Sequence, residues 1–227
     1  MPREVKANRI FFLIHPMFAE SRGDRAPERL DALYETYASR IESIARLKRK
    51  PLLVIVRQPE VLGVRQYQKD LENLATELLG PSRVFVTMEG ELPSEAKEKL
   101  KPRAQLTFLG EYRNRCVTQA MYDLSYQLGL TPQAFAKRVR IDYAHTSAKY
   151  QLPIRTLLQL DKKRRREYFK TEQKTRPAET DIHRITYAMY QRMRAEHGHD
   201  HFTALNLANA AAKKQIQELY KKYGALQ

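Results

Sequence analysis

The sequence predicts an α/β fold, a Rossmann-like three-layer parallel sheet domain, followed by a basic all-helical C-terminal region. Before Leu130, short apolar runs alternate four times with amphipathic stretches of helical length, the rhythm of a parallel sheet with helical crossovers. The runs are continuously apolar instead of alternating, as strands buried on both faces are. Beyond Thr131 the strand signals stop and basic residues accumulate. The expected division is therefore residues 1–130 for the sheet domain and 131–227 for the basic helical region, which ends in a helical hairpin.

The first strand is Ile10-Phe-Phe-Leu-Ile14, bounded by His15-Pro16. From Glu28 to Leu47, the residues Leu30, Leu33, Tyr34, Tyr37, Ile41, Ile44 and Leu47 recur at helical spacing, and Pro51 ends that helix. Leu52 to Val56 is the second strand. Tyr67 to Leu79 is helical, stopped by Gly80-Pro81-Ser82, and Val84 to Thr87 is the third strand. Pro93 to Leu100 forms a short helix, Gln105 to Leu109 the fourth strand ending in Gly110, and Cys116 to Leu128 another helix. Such sheets bind ligands beyond the carboxyl ends of their strands, which places His15, Arg57, Glu89, Glu91, Glu111 and Cys116 near any site.

Past that point helices dominate. Thr131 is set to cap a helix that has Pro132 at its first position. Pro153 to Phe169 carries Leu157, Leu158 and Leu160, Glu172 to Ala178 is a polar linker, and two amphipathic stretches follow at Asp181–Glu196 and Thr203–Tyr223.

The net charge of +15 is unevenly spread: 21 basic against 17 acidic residues up to Thr131, then 20 against 9 over the remaining 96. A net of +11 in that second part suits a polyanion, and arginine-rich clusters favour nucleic acid, DNA or RNA. A solvated lysine-rich surface is the plainer reading. The single cysteine excludes an intramolecular disulfide and zinc modules built on two or four cysteines. No apolar run approaches the roughly 18 residues of a membrane span, and Met-Pro-Arg-Glu-Val-Lys does not read as a signal peptide. A cytoplasmic protein without membrane association is expected. No Gly-x-Gly occurs among the 8 glycines, so no nucleotide cofactor is implied.

One motif carries candidate catalysis. Gly110 ends a strand, Cys116-Val117 opens a helix six residues later, and Asp123 follows seven beyond the cysteine. Over the first half of the chain this resembles the isochorismatase-like cysteine hydrolases. The resemblance implies a nucleophilic Cys116, its thiol acidified by the helix start. Where that family has a first-strand aspartate this chain has His15, and Met88-Glu89-Gly90 stands where its lysine would follow the third strand. His15 would then serve as the base. The alternatives are a catalytically lapsed relative, or a small cysteine that only packs a helix on the sheet.

Met121 to Arg140 is similar to a helix-turn-helix, with Gly129 at the turn and Gln133, Lys137, Arg138 and Arg140 offered to a groove. An ordinary helix pair has the same pattern. Lys162, Lys163, Arg164, Arg165 and Arg166 are five consecutive cations beside Tyr168 and Phe169, suited to phosphates and stacked bases or else a solvated helix face. His197, His199 and His201 are candidate metal ligands, or a polar interhelix loop. A homo-oligomer exchanging its C-terminal hairpin is a third architecture consistent with the sequence.

Overall fold

The apolar runs form strands because only the interior of a parallel sheet satisfies their backbones and buries both of their faces. In the computed structural model the described residues are 6–18, 27–57, 64–88, 91–111, 116–147, 181–196 and 198–223. They include β1 (Ala7–Ile14), α1 (Pro27–Ala45), β2 (Leu52–Val56), α2 (Arg65–Leu79), β3 (Val84–Thr87), α3 (Ser94–Glu98), β4 (Leu100–Gly110), α4 (Thr118–Gln127), α5 (Pro132–Arg138) and β5 (Val139–Thr146). A helix over 181–196, α6, and a last helix α7 (His201–Tyr223) complete them. No helix among the described residues is long and apolar enough to cross a membrane.

The strands lie in the order β3-β2-β1-β4-β5, and every pairing is parallel. β1 sits in the middle, aligned Ile10 to Leu52 on one side and Ile10 to Leu106 on the other. Alternate residues of β1 and β2 face opposite ways. Phe11, Leu13, Leu53 and Ile55 join Leu33, Tyr37, Ile41 and Ile44 of α1 and Leu71, Ala75 and Leu79 of α2 in one core. Ile10, Phe12, Val54, Leu106 and Phe108 are buried on the other face, where Phe12 and Phe108 stack at 4.6 Å. Right-handed crossovers explain the layers: β1 to β2 to β3 winds one way, so α1 and α2 share a face. β4 to β5 steps the other way from the centre of the sheet.

Two strands exceed what their apolar runs announce. β4 begins at Leu100, not Gln105. Its register against β1 slips between Ala7 and Arg9, so that Lys101, Pro102 and Arg103 bulge outward, exposed. β5 lies past the expected boundary at residue 130. The region beyond 131 is therefore not all helix, because the open edge of β4 takes up Val139 to Thr146.

The chain divides into two compact units, Met1–Leu124 with Arg138–Leu160, and Ser125–Lys137 with Asp161–Gln227. In the second unit, Tyr187 Oη and Gln191 Nε2 of α6 each donate to the Leu130 carbonyl at 2.8 Å. Phe135 stacks on Tyr187 at 4.2 Å, and Tyr126 meets Tyr190 edge-on at 6.1 Å. An aromatic core thus gathers Ser125–Lys137 onto the C-terminal helices.

Candidate functional site

Where a parallel sheet reverses its winding, the loops after two neighbouring strands diverge and leave a crevice at their carboxyl ends. Here that point falls between β1 and β4. The Glu111 N–H donates to the Ile14 carbonyl at 2.9 Å, and the Ser147 N–H donates to the Gly110 carbonyl at 3.0 Å. His15, Glu111 and Ser147 therefore leave β1, β4 and β5 side by side at one edge.

Glu111 is fully buried. Its carboxylate accepts the Tyr37 hydroxyl from α1 and the Ser147 hydroxyl at 2.5 Å. Such charge-assisted hydrogen bonds offset part of the desolvation that a buried carboxylate suffers. Burial, then the Glu111 charge, push the Tyr37 hydroxyl well above its ordinary pKa, so it remains a donor. One carboxylate thereby ties α1, β4 and the end of β5 together.

His15 sits at φ 45° and Met17 at φ 75°, both in the left-handed region. Non-glycine residues held there store strain of about 1–3 kcal/mol each, and such strain gathers at functional sites. His15 Nδ1 is buried without a hydrogen-bond partner among the described residues. Burial pushes the imidazole down to about 4, so at neutral pH the ring is an uncharged proton acceptor. Cys116 is half-buried and opens the wide turn that leads into α4, five residues after Glu111. The candidate base and the candidate thiol therefore follow the two strands that flank the switch point. The other edge residues are differently placed. Arg57 is bound by both guanidinium arms to Glu72 of α2, one contact measuring 2.6 Å, while Glu91 is exposed and Glu89 lies outside the described residues.

A polar cluster that the sequence did not announce occupies β5. The register of β5 against β4 slips between Ile141 and Thr146, bulging out the residues between. On that bulge Asp142 Oδ1 lies 3.0 Å from His145 Nδ1, and Asp142 Oδ2 lies 2.8 Å from Arg40 Nε of α1. Burial raises the Asp142 pKa, but the adjoining His145 and Arg40 outweigh it and hold the carboxyl below its usual range. His145 Nε2 is buried without a hydrogen-bond partner among the described residues. Nothing in the local pattern Arg140-Ile-Asp-Tyr-Ala-His145 signals a partner on α1.

The basic candidates fall in several places. α4 and α5 are joined by Gly129 at φ 64°, and the Leu130 N–H returns to the Ser125 carbonyl at 3.0 Å. Thr131 Oγ1 caps α5 by accepting the Ala134 N–H at 3.2 Å. Lys137 is exposed on α5. Arg138 instead turns to the sheet, its Nε donating to the Ala104 carbonyl at 2.8 Å, and burial lowers its pKa. Arg140 belongs to β5, not to the helix expected to enter a groove. Lys162, Lys163, Arg164, Arg165 and Arg166 lie outside the described residues, as does His197. His201 opens α7, its Nδ1 2.9 Å from the Tyr190 hydroxyl, while the His199 carbonyl accepts Arg194 at 3.4 Å. Among the described residues no three His, Cys, Asp or Glu side chains group to hold a metal ion.

Comparison with protein-family models, curated proteins and solved structures finds no match to this chain. Fold and site are thus defined by their own geometry: an all-parallel α/β sheet with a strained, partly buried histidine at its switch point, joined to a basic helical unit.

Proposed function

We propose that the protein binds nucleic acid through its basic C-terminal unit, with the sheet domain as scaffold. One observation carries this. The second unit holds 16 Lys and Arg against 8 Asp and Glu in its 80 residues, whereas the first holds 25 against 18 in 147. Positive charge concentrated in one compact unit is the footprint of a phosphate-binding surface. Three of its described acids are occupied locally: Asp181 faces Arg184 at 3.7 Å, Glu196 pairs with Arg192 at 2.6 Å, and Asp200 Oδ1 caps α7. The basic excess is left to an outside polyanion. A single cysteine suits a reducing, cytoplasmic setting.

The test is an electrophoretic shift with duplex DNA, single-stranded DNA and RNA at two salt concentrations. Binding that weakens steeply with salt is expected. Retention of none of the three at the lower salt overturns the proposal.

A second activity, thiol-dependent hydrolysis related to that of the isochorismatase-like enzymes, is favoured by the position of Cys116 and His15 on either side of the switch point. Iodoacetamide labelling of Cys116 across pH tests it. A midpoint clearly below about 8.5, the value of an ordinary thiol, supports an activated nucleophile, and one at or above it removes the hydrolase.

A further inference from the structure

The first turns of α7 present a surface that the aromatic core of the second unit does not use. Ala204, Leu205, Ala208 and Ala212 form the buried side of the helix. Phe202, Asn206, Asn209 and Lys213 are all exposed. At about 100° per residue these four fall within an arc of about 60°, and at about 1.5 Å per residue they extend about 16 Å along the axis. Phe202 is 64% exposed, more than any other large hydrophobic side chain described. Phe202 thus heads a polar stripe with its ring uncovered.

The chemistry of the stripe selects that partner. A flat ring offers a stacking face, the two amides offer both donors and acceptors, and Lys213 adds a cation. No acidic residue lies in the stripe, and α7 as a whole carries four lysines against Glu218 alone. The ring of His201 meets Phe202 edge-on at 5.1 Å and steadies one side of it. Bases within a duplex have their faces already stacked, whereas those of a single strand are open to an aromatic side chain. We propose that the Phe202–Lys213 stripe of α7 is a contact surface for single-stranded nucleic acid, Phe202 stacking on a base and Lys213 meeting the backbone. This rests on the nucleic-acid function proposed above and adds the strandedness of the partner and the residues that read it.

The experiment uses the full chain and a twelve-residue oligo-deoxythymidine, with a duplex of the same length as comparison. The protein has no tryptophan, so Phe202→Trp creates a single reporter at the proposed stacking position. Its emission is expected to be quenched by the single strand and unaffected by the duplex. Phe202→Ala is expected to weaken single-strand binding about 5- to 150-fold while leaving duplex affinity and its salt dependence in place. Leu207→Ala, at the half-exposed leucine outside the stripe, should behave as wild type. The proposal is overturned if the tryptophan does not respond to a strand that the shift assay shows bound, or if Phe202→Ala binds that strand normally. A change in sedimentation of Phe202→Ala without nucleic acid also overturns it, making the stripe an interface between copies of the chain. Wild-type protein that binds no nucleic acid removes the underlying function instead, a result visible before any variant is made.

Discussion

The backbone of Gly110 approaches Ile14 so closely that a Cβ at Gly110 would lie 2.0 Å from the Ile14 carbonyl oxygen. The contact is backbone against backbone at the centre of the sheet, so no side chain can yield. Gly110 also has φ 123°, a conformation that L side chains rarely adopt.

Gly110→Ala is therefore expected to destabilise the protein by more than about 3 kcal/mol, combining a steric clash with backbone strain. Urea denaturation followed by circular dichroism measures it. A loss below about 1 kcal/mol would mean that β1 and β4 part more easily than their register implies.

The Glu111 carboxylate has two hydroxyl supports, Tyr37 and Ser147. Tyr37→Phe removes a fully buried hydroxyl and leaves the carboxylate one donor short, at an expected cost of about 1–3 kcal/mol. Ser147→Ala removes the other donor with a comparable loss. Because both bonds end on one carboxylate, the double variant should depart from additivity by at least about 0.5 kcal/mol. A double-mutant cycle in urea checks this, and strict additivity would make the two bonds independent.

His15 makes stability depend on pH in a defined window. Its folded-state pKa is lowered from the ordinary 6.5 to about 4. Between those values the unfolded chain binds a proton that the folded one excludes, so acidification favours unfolding. The contribution is complete above 6.5 and lost as the pH falls toward 4, up to about 3 kcal/mol in all. His15→Asn, which tolerates the positive φ without titrating, should flatten that part of the stability profile. An unchanged slope between pH 6.5 and 4 in the variant would place the titration elsewhere.

The five-residue basic run is expected to dominate the salt dependence of nucleic-acid binding. Replacing Arg164, Arg165 and Arg166 with Gln should reduce the log-log salt slope by about 2 to 3, with little sequence preference in the loss. Circular dichroism of the variant checks that the described fold is retained. A slope equal to that of wild type would mark these arginines as solvated surface.

β1, β2 and the core of β4 were legible in the sequence because burial on two faces demands unbroken apolar runs, while the edge strand β3 and the helices α1 and α2 were read from their apolar spacing. Leu52 to Val56 shows this best, reading as a strand and buried at every position. β5 was not legible. Val-Arg-Ile-Asp-Tyr-Ala-His-Thr146 mixes charge with apolar residues, as a half-exposed strand with a bulge will, and it follows a helix with no turn signal between. The site divides the same way. His15, Glu111 and Cys116 were placed at the carboxyl edge by counting from strand ends. Tyr37 and Ser147, which hold Glu111 from 74 and 36 residues away, leave no local trace. Phe202 was hidden too, since periodicity marks the buried face of α7 and gives no sign of which remaining side chain stays uncovered.

The path of the chain has a consequence for taking the protein apart. It passes between the two compact units three times, because Ser125–Lys137 belongs with the C-terminal helices while both flanking segments belong with the sheet. A cut near residue 130 would strip β5 from β4 and separate Tyr126 from Tyr190. A single proteolytic nick near residue 160 would break the backbone yet leave Leu130 hydrogen-bonded to Tyr187 and Gln191, so the fragments should co-elute until denatured. Neither half can be grafted onto another protein as a contiguous cassette. Recombination or domain shuffling must move the chain whole.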